Sequence, residues 1–479
     1  MSERGACHLA VDIGASSGRH IVGQVVDGRM ELTEVYRFEN GLTHQDGHLC
    51  WDIDALAESV IAGLAAARER GFEPTTVGID TWAVDYVLLD GQDRRLGPCV
   101  GYRDARTDGV RDELECTGVL GFDEHYARTG IQYQPFNTAY QLCAQAREDR
   151  SALDAAETLL MVPDYLAWVL TGVKAQEYTN ASTTALVSAQ TCDWDDELIE
   201  RLGLPRRIFQ DIRMPGESLG HLRPELAERI GYDPEVLLVA SHDTGSAWLA
   251  VPARDERAVY LSSGTWSLMG TELRAPVCTA ASAQANFTNE GGYERRYRYL
   301  KNIMGLWMIQ NVRRELGAQT GAAPSWGELV EAAEEARAAG FRAVVDADDP
   351  AFLAPESMLV ALREQCARGG QPVPETMGEY ALCVYDSLAD DYARAVAQLR
   401  ELTDVDYNSI NIVGGGSANG YLNQACADAC GLPVYAGPTE GTALGNLMVQ
   451  WIASGEFASL EEARAAIRHS FDIQEYLPR

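Results

Sequence analysis

One device occurs twice in this chain of 479 residues, and it limits the folds available more than any other feature. Residues 9–12 read as a short apolar strand that runs into Gly14-Ala15-Ser16-Ser17-Gly18 and then into a second strand, residues 20–26. Residues 258–261 repeat the pattern, passing through Ser262-Ser263-Gly264-Thr265 into a strand at residues 267–271. A strand, a small hydroxyl-rich turn and a strand, once per half, is an internal repeat with a mechanical reading. Two such turns can face each other and hold one polyphosphate between two domains. The length suits two or three domains. The apolar pattern breaks at Val251-Pro252-Ala253-Arg254-Asp255-Glu256, so the expected domains are 1–247 and 256–455, with 456–479 as a tail.

Around the repeat, residues 53–70 predict a helix with Asp52 or Asp54 as its cap and Gly71 as its stop. Strands are expected at 77–80, 86–90, 237–240 and 409–413, and helices at 139–150, 163–171, 195–202 and 421–429. The order of these elements predicts mixed α/β sheets.

Charge and composition exclude several functions. A formal net charge of −32 argues against a nucleic-acid partner, because phosphate backbones are bound by basic surfaces. A bound anion such as ATP must therefore be held locally, by backbone amides and a metal. Lysine occurs only at 174 and 301, which argues against a P-loop or Schiff-base lysine. The eleven cysteines contain no CxxC pair and no zinc-like Cys/His cluster. No apolar run reaches the length of a membrane span, and residues 1–5 lack the apolar stretch of a secretory signal. A soluble cytoplasmic protein with no membrane partner is expected.

Four segments carry candidate chemistry. In Asp12-Ile13-Gly14-Ala15-Ser16-Ser17-Gly18-Arg19, glycines in left-handed conformations would turn the backbone N–H groups toward an anion. The serines add donors, Arg19 adds charge, and Asp12 could hold a metal through water. An ordinary hairpin turn fits the same residues. In Ser241-His242-Asp243-Thr244-Gly245, an aspartate at the end of an apolar strand suits a general base, although a helix cap uses the same residues. Gly414-Gly415-Gly416 after a strand allows close approach of a ring or ribose, but its spacing is not that of a dinucleotide fingerprint. Asp80, Trp82 and Asp85, followed by Tyr102-Arg103-Asp104-Ala105-Arg106, suit a sugar, with acceptors for its hydroxyls and an indole for its C–H face. The alternative is a core tryptophan flanked by solvated acids.

Taken in order, these segments resemble the FGGY carbohydrate kinases over residues 8–450. Gln134-Pro135-Phe136-Asn137, Glu177-Tyr178-Thr179-Asn180, residues 262–269 and residues 300–307 also carry the likeness. The last two resemble the members that act on L-rhamnulose. The resemblance implies two RNase H-like domains of the actin-like ATPase type with an interdomain catalytic cleft, and transfer of phosphate from ATP, with Mg²⁺, to C1 of that ketose. It implies Asp243 as proton acceptor, with Ala83, His242, Thr244 and Asn302 at the sugar. It places Ala15, Ser16, Ser17, Gly18, Arg19, Thr265, Gln310 and Gly415 at the nucleotide. The pairs Cys366/Cys383 and Cys426/Cys430 match positions where relatives can form disulfides. Position 83 is alanine where such members usually carry glycine, which leaves L-fuculose or a pentulose as alternative substrates. An actin-like nucleotide-binding sugar sensor without phosphotransfer is the alternative from another class.

Overall fold

The computed structural model describes residues 6–479, so the expectation drawn from residues 1–5 lies outside the described residues. The chain forms two compact units. The first comprises residues 1–250, 272–299 and 441–470, and the second comprises 251–271, 300–440 and 471–479. Among the described residues, no helix is long and apolar enough to cross a membrane.

The first unit is built on a six-stranded sheet. Its strands are β1 (Cys7–Ile13), β2 (Ser17–Val26), β3 (Arg29–Glu39), β4 (Thr76–Thr81), β5 (Ser218–His221) and β6 (Glu235–Leu237), in the order β5-β6-β4-β1-β2-β3. All of β1 is buried, as a central strand must be when both faces are covered. β1 pairs antiparallel with β2 and parallel with β4, in a register that sets Asp12 opposite both Arg19 and Asp80. Helix α1 (Ile53–Glu69) starts where predicted. Asp52 caps it by accepting from the Ala55 N–H at 3.0 Å, and Gly71 follows its end at φ +84°.

In the second, seven-stranded sheet, β7 (Ala258–Ser263), β8 (Trp266–Leu273), β9 (Tyr297–Met304), β10 (Ser409–Val413), β11 (Val434–Ala436) and β12 (Gln474–Tyr476) follow the order β9-β8-β7-β10-β11-β12, with the strand Phe287–Gly291 outside β9. Hairpin β7–β8 corresponds to β1–β2, the parallel neighbour β10 to β4, and β11 to β6. Each sheet ends on an antiparallel edge strand, β5 or β12. The repeat read from two turns therefore extends to whole sheets. Helix α2 (Asp243–Leu249) and helix α3 (Gly441–Ser454) both belong to the first unit.

Candidate active site

The site in the first unit is organised by a buried carboxylate. Glu177 is fully buried, and its Oε2 accepts from Thr179 Oγ1 and Ser241 Oγ at 2.6 Å each. The same oxygen takes the Asn180 and Ser241 N–H groups at 3.1 Å, while Oε1 takes the Thr179 N–H at 2.8 Å. Burial still pushes its pKa up. The result is a fixed backbone at Ser241, one peptide before His242. The sequence reading put Asp243 at the end of a strand. β6 ends earlier, at Leu237, because Leu238 and Ser241 bond to a neighbouring loop and to Thr81. Asp243 is instead the first residue of α2, with His242 as the N-cap. The cap position thus falls on His242 and the candidate base on the first helical residue beside it.

His242 has a defined tautomer. Arg298 Nη2 donates to its Nδ1 at 2.9 Å, so the ring proton sits on Nε2, which lies 3.5 Å from Asp243 Oδ1. Arg298 is itself 1% exposed and paired with Glu290 at 2.9 Å. Burial, and then the Arg298 charge, keep the His242 pKa well below its ordinary value, so the ring is neutral. Neither Arg298 nor Glu290 was identified from the sequence, because nothing local ties residues 290 and 298 to 242.

Three aspartates act on one another here. The Asp243 side chain is 32% exposed at the surface of the unit but surrounded by protein, and desolvation followed by the Asp12 charge raises its pKa to about 6. Two hydrogen bonds oppose that rise, from the Thr244 N–H at 2.5 Å and the Thr244 hydroxyl at 3.1 Å. Asp80 is fully buried. Its pKa is raised well above the usual range, first by burial and then by Asp12. Its Oδ2 accepts from Asn446 at 2.6 Å, while its Oδ1 has no hydrogen-bond partner among the described residues. Such a cluster favours a cation, yet no group of three acidic, His or Cys side chains among the described residues is placed to hold a metal alone.

The turn at residues 14–17 is closed by the Gly14 N–H donating to Ser17 O at 2.9 Å and tied down by Asn40, which donates to Gly14 O at 2.9 Å. The expected left-handed glycines are absent, since neither Gly14 nor Gly18 has a positive φ. Gly18 is needed for close approach, because a Cβ there would overlap the Phe38 ring. Ser16 is exposed, Ala15, Ser17 and Arg19 are half-buried, and Gly18 is buried. Arg19 donates to Asp12 at 2.7 Å, so its charge is shared with the acidic cluster.

Residues 78–86 depart further from expectation. Trp82 is buried, not a free platform, and Asp80 and Asp85 are buried, not solvated. Asp85 accepts from Trp51 Nε1 at 2.6 Å, Trp82 Nε1 at 2.9 Å, the Tyr102 N–H at 3.0 Å and Gln141 Nε2 at 2.9 Å. Burial raises its pKa to about 6. It organises the core and has little capacity left for a sugar hydroxyl. From residue 76 to 90, Ala83 alone is not buried.

In the second unit, Thr265 lies in the β7–β8 turn. Its carbonyl accepts from the Trp307 N–H at 3.1 Å, and Gly264 O accepts from the Leu306 N–H at 3.0 Å. That ties the turn to the start of helix α4 (Trp307–Thr320), which carries Gln310; Asn302 lies half-buried on β9. The glycine run packs on the same hairpin. At Gly414 (φ +86°) a Cβ would meet Ser263 O at 3.0 Å, and at Gly416 it would overlap Ser263 Oγ, whereas Gly415 faces open space. Thr265, Gln310 and Gly415 thus converge on one hairpin. All described cysteines are free; the Cys366 and Cys383 sulfurs lie 3.7 Å apart.

Residues 7–250 match the model of the N-terminal domain of the FGGY family of carbohydrate kinases, and residues 259–454 match that of its C-terminal domain. The protein named Rhamnulokinase from Halalkalibacterium halodurans is 48% identical over 471 residues, covering 98% of each chain. That from Bacillus subtilis is 43% identical over 475 residues, covering 98% of this chain and 95% of the relative. Among solved structures, a ligand-bound xylulose kinase from Lactobacillus acidophilus superposes with a TM-score of 0.81 at 16% identity, covering 99% of this chain and 94% of the other. Plasmodium falciparum glycerol kinase with ADP gives 0.79 at 14% identity, covering 99% and 95%. These likenesses bear out the two-domain actin-like α/β fold expected from the sequence.

Proposed function

The chain belongs to the FGGY family of carbohydrate kinases, and from that premise we propose that it transfers the γ-phosphoryl group of ATP to the C1 hydroxyl of L-rhamnulose, giving L-rhamnulose 1-phosphate and ADP. Full-length relatives named Rhamnulokinase, 42–48% identical, support the choice of sugar. The observation that carries the chemistry is Asp243, a partly exposed carboxylate at the start of α2 with its pKa raised to about 6. It is ionised at neutral pH yet basic enough to take a proton from an attacking hydroxyl. Neutral His242, with Nε2–H facing Asp243, cannot compete as the base and serves as a donor to the carboxylate or the sugar. Thr244 and Asn302 are the other sugar contacts we propose, with Ala83 at the accessible turn.

For the nucleotide we propose Ala15, Ser16, Ser17, Gly18 and Arg19 at the phosphates, with Thr265, Gln310 and Gly415. The backbone at buried Gly18 would act through its neighbours. Mg²⁺ would be met by Asp12 through water and would supply neutralisation of the phosphate charge. With ATP as co-substrate, the cytoplasm is the compartment we propose.

Asp243→Asn tests this reading. It should keep the fold and sugar binding and lower kcat by at least about a hundredfold, the low end for losing a general base. Near-normal kcat would remove Asp243 from the mechanism. A second reading, another ketose as preferred substrate, rests on the methyl of Ala83, at a position where the family resemblance implies a usual glycine.

A further inference from the structure

The backbone at Ala83–Val84–Asp85 is strained. The Asp85 N–H donates to Ala83 O at 2.9 Å, closing a three-residue γ-turn, and the central residue, Val84, has φ +68°. A β-branched residue in that region is a true outlier, and the positive-φ γ-turn is the strained form. Such conformations persist only where the surroundings over-determine them, and they concentrate at ligand sites.

The restraint is visible. Val84 O accepts from Thr138 Oγ1 at 2.7 Å and from Gln141 Nε2 at 3.2 Å. These two side chains sit one turn apart on helix α5 (Thr138–Glu148), so both reach the same carbonyl. Two N–H groups are shared among three acceptors, because Gln141 Nε2 also lies 2.9 Å from Asp85 Oδ1 and 2.9 Å from Phe136 O. Its Oε1 accepts from Arg106 Nη2 at 2.8 Å, so the amide cannot flip without setting donor against donor. Gln141 is 1% exposed and Arg106 9% exposed. On the other side, Asp85 anchors the indoles of Trp51 and Trp82, whose ring centroids are 4.0 Å apart with the planes tilted by 35°.

We propose that Gln141, oriented by Arg106, is a positioning residue for the ketose: it clamps the Val84 γ-turn and so holds Ala83 at the surface where the sugar binds. This rests on the assignment of Ala83 to the sugar site. The clamp gives the turn one shape before substrate arrives, so its loss weakens sugar binding and leaves phosphoryl transfer from bound sugar largely intact.

The test is a double-mutant cycle of Gln141→Met and Val84→Gly in the full chain. Glycine takes a positive φ freely, so it removes the strain that the clamp must resist. Gln141→Met should raise KM for L-rhamnulose about tenfold, change kcat less than about threefold and leave KM for ATP unchanged. In the Val84→Gly background the Gln141→Met penalty on ketose KM should shrink to less than about threefold. The same cycle read as thermal midpoint, without sugar, should show the same non-additivity. Additive effects in both readouts, or a Gln141→Met defect that falls equally on ATP, overturn the proposal. If wild type prefers another ketose, the same cycle is read on that sugar: the substrate assignment falls, and the clamp is judged on its own result.

Discussion

Glu177→Gln keeps shape and removes one charge, and the structure sets what it costs. Four donors converge on Oε2, so the new amide oxygen must lie there. The NH₂ then replaces Oε1 and faces the Thr179 N–H, which loses its 2.8 Å bond inside the core. Orphaning a buried donor costs about 1–3 kcal/mol. The four remaining bonds change from charge-assisted to neutral, which roughly halves each. Relief from burying a charge, the effect that pushes the Glu177 pKa up, offsets part of that loss. The net expectation is a destabilisation of about 2–4 kcal/mol, in the upper range for a single substitution. Urea unfolding measures it as a shift in midpoint at unchanged m. Because Glu177 holds the Ser241 backbone one peptide before His242, kcat should fall as well, by about tenfold or more. A loss under about 1 kcal/mol with unchanged kcat would refute the view that this carboxylate sets the site.

Activity should follow the ionisation of Asp243. Its pKa is raised to about 6, so kcat/KM falls as pH drops through 6, about tenfold per unit below it, with no histidine limb because His242 stays neutral. Arg298→Met removes a cation that stabilises the Asp243 carboxylate and disfavours protonation of His242, so the acid limb should move above 6 in a pH–rate profile; an unmoved limb contradicts the arrangement. Gly18→Ala drives a Cβ into the Phe38 ring and should cost about 1–3 kcal/mol by denaturant unfolding. Phe38→Leu in the same chain should recover much of it, and no recovery would mean the cost lies elsewhere.

The sequence showed the local features well. The twin hairpins were legible because short continuous apolar runs lead into Gly- and Ser-rich turns, and β10 falls at 409–413 as read. Helix α1 was legible from its cap and stop residues. The segment 78–86 misled, because aspartates beside a tryptophan look solvated until the fold brings Trp51, Tyr102 and Gln141 onto Asp85. The partners that define the site, Arg298 and Glu290 at His242 and Asn446 at Asp80, come from distant parts of the chain. Pairings of that range leave no periodic trace in one sequence. The γ-turn at Val84 was hidden for a related reason: valine has no propensity for it, and tertiary hydrogen bonds impose it.

Sugar-dependent ADP release, with Mg²⁺ and ATP and a panel of L-rhamnulose, L-fuculose, L-ribulose, D-xylulose and glycerol, tests the central claim most directly. The account predicts the highest kcat/KM on L-rhamnulose, by about tenfold or more over every other sugar. Release that no sugar stimulates would contradict it, and a clear preference for another ketose would refute the assigned substrate.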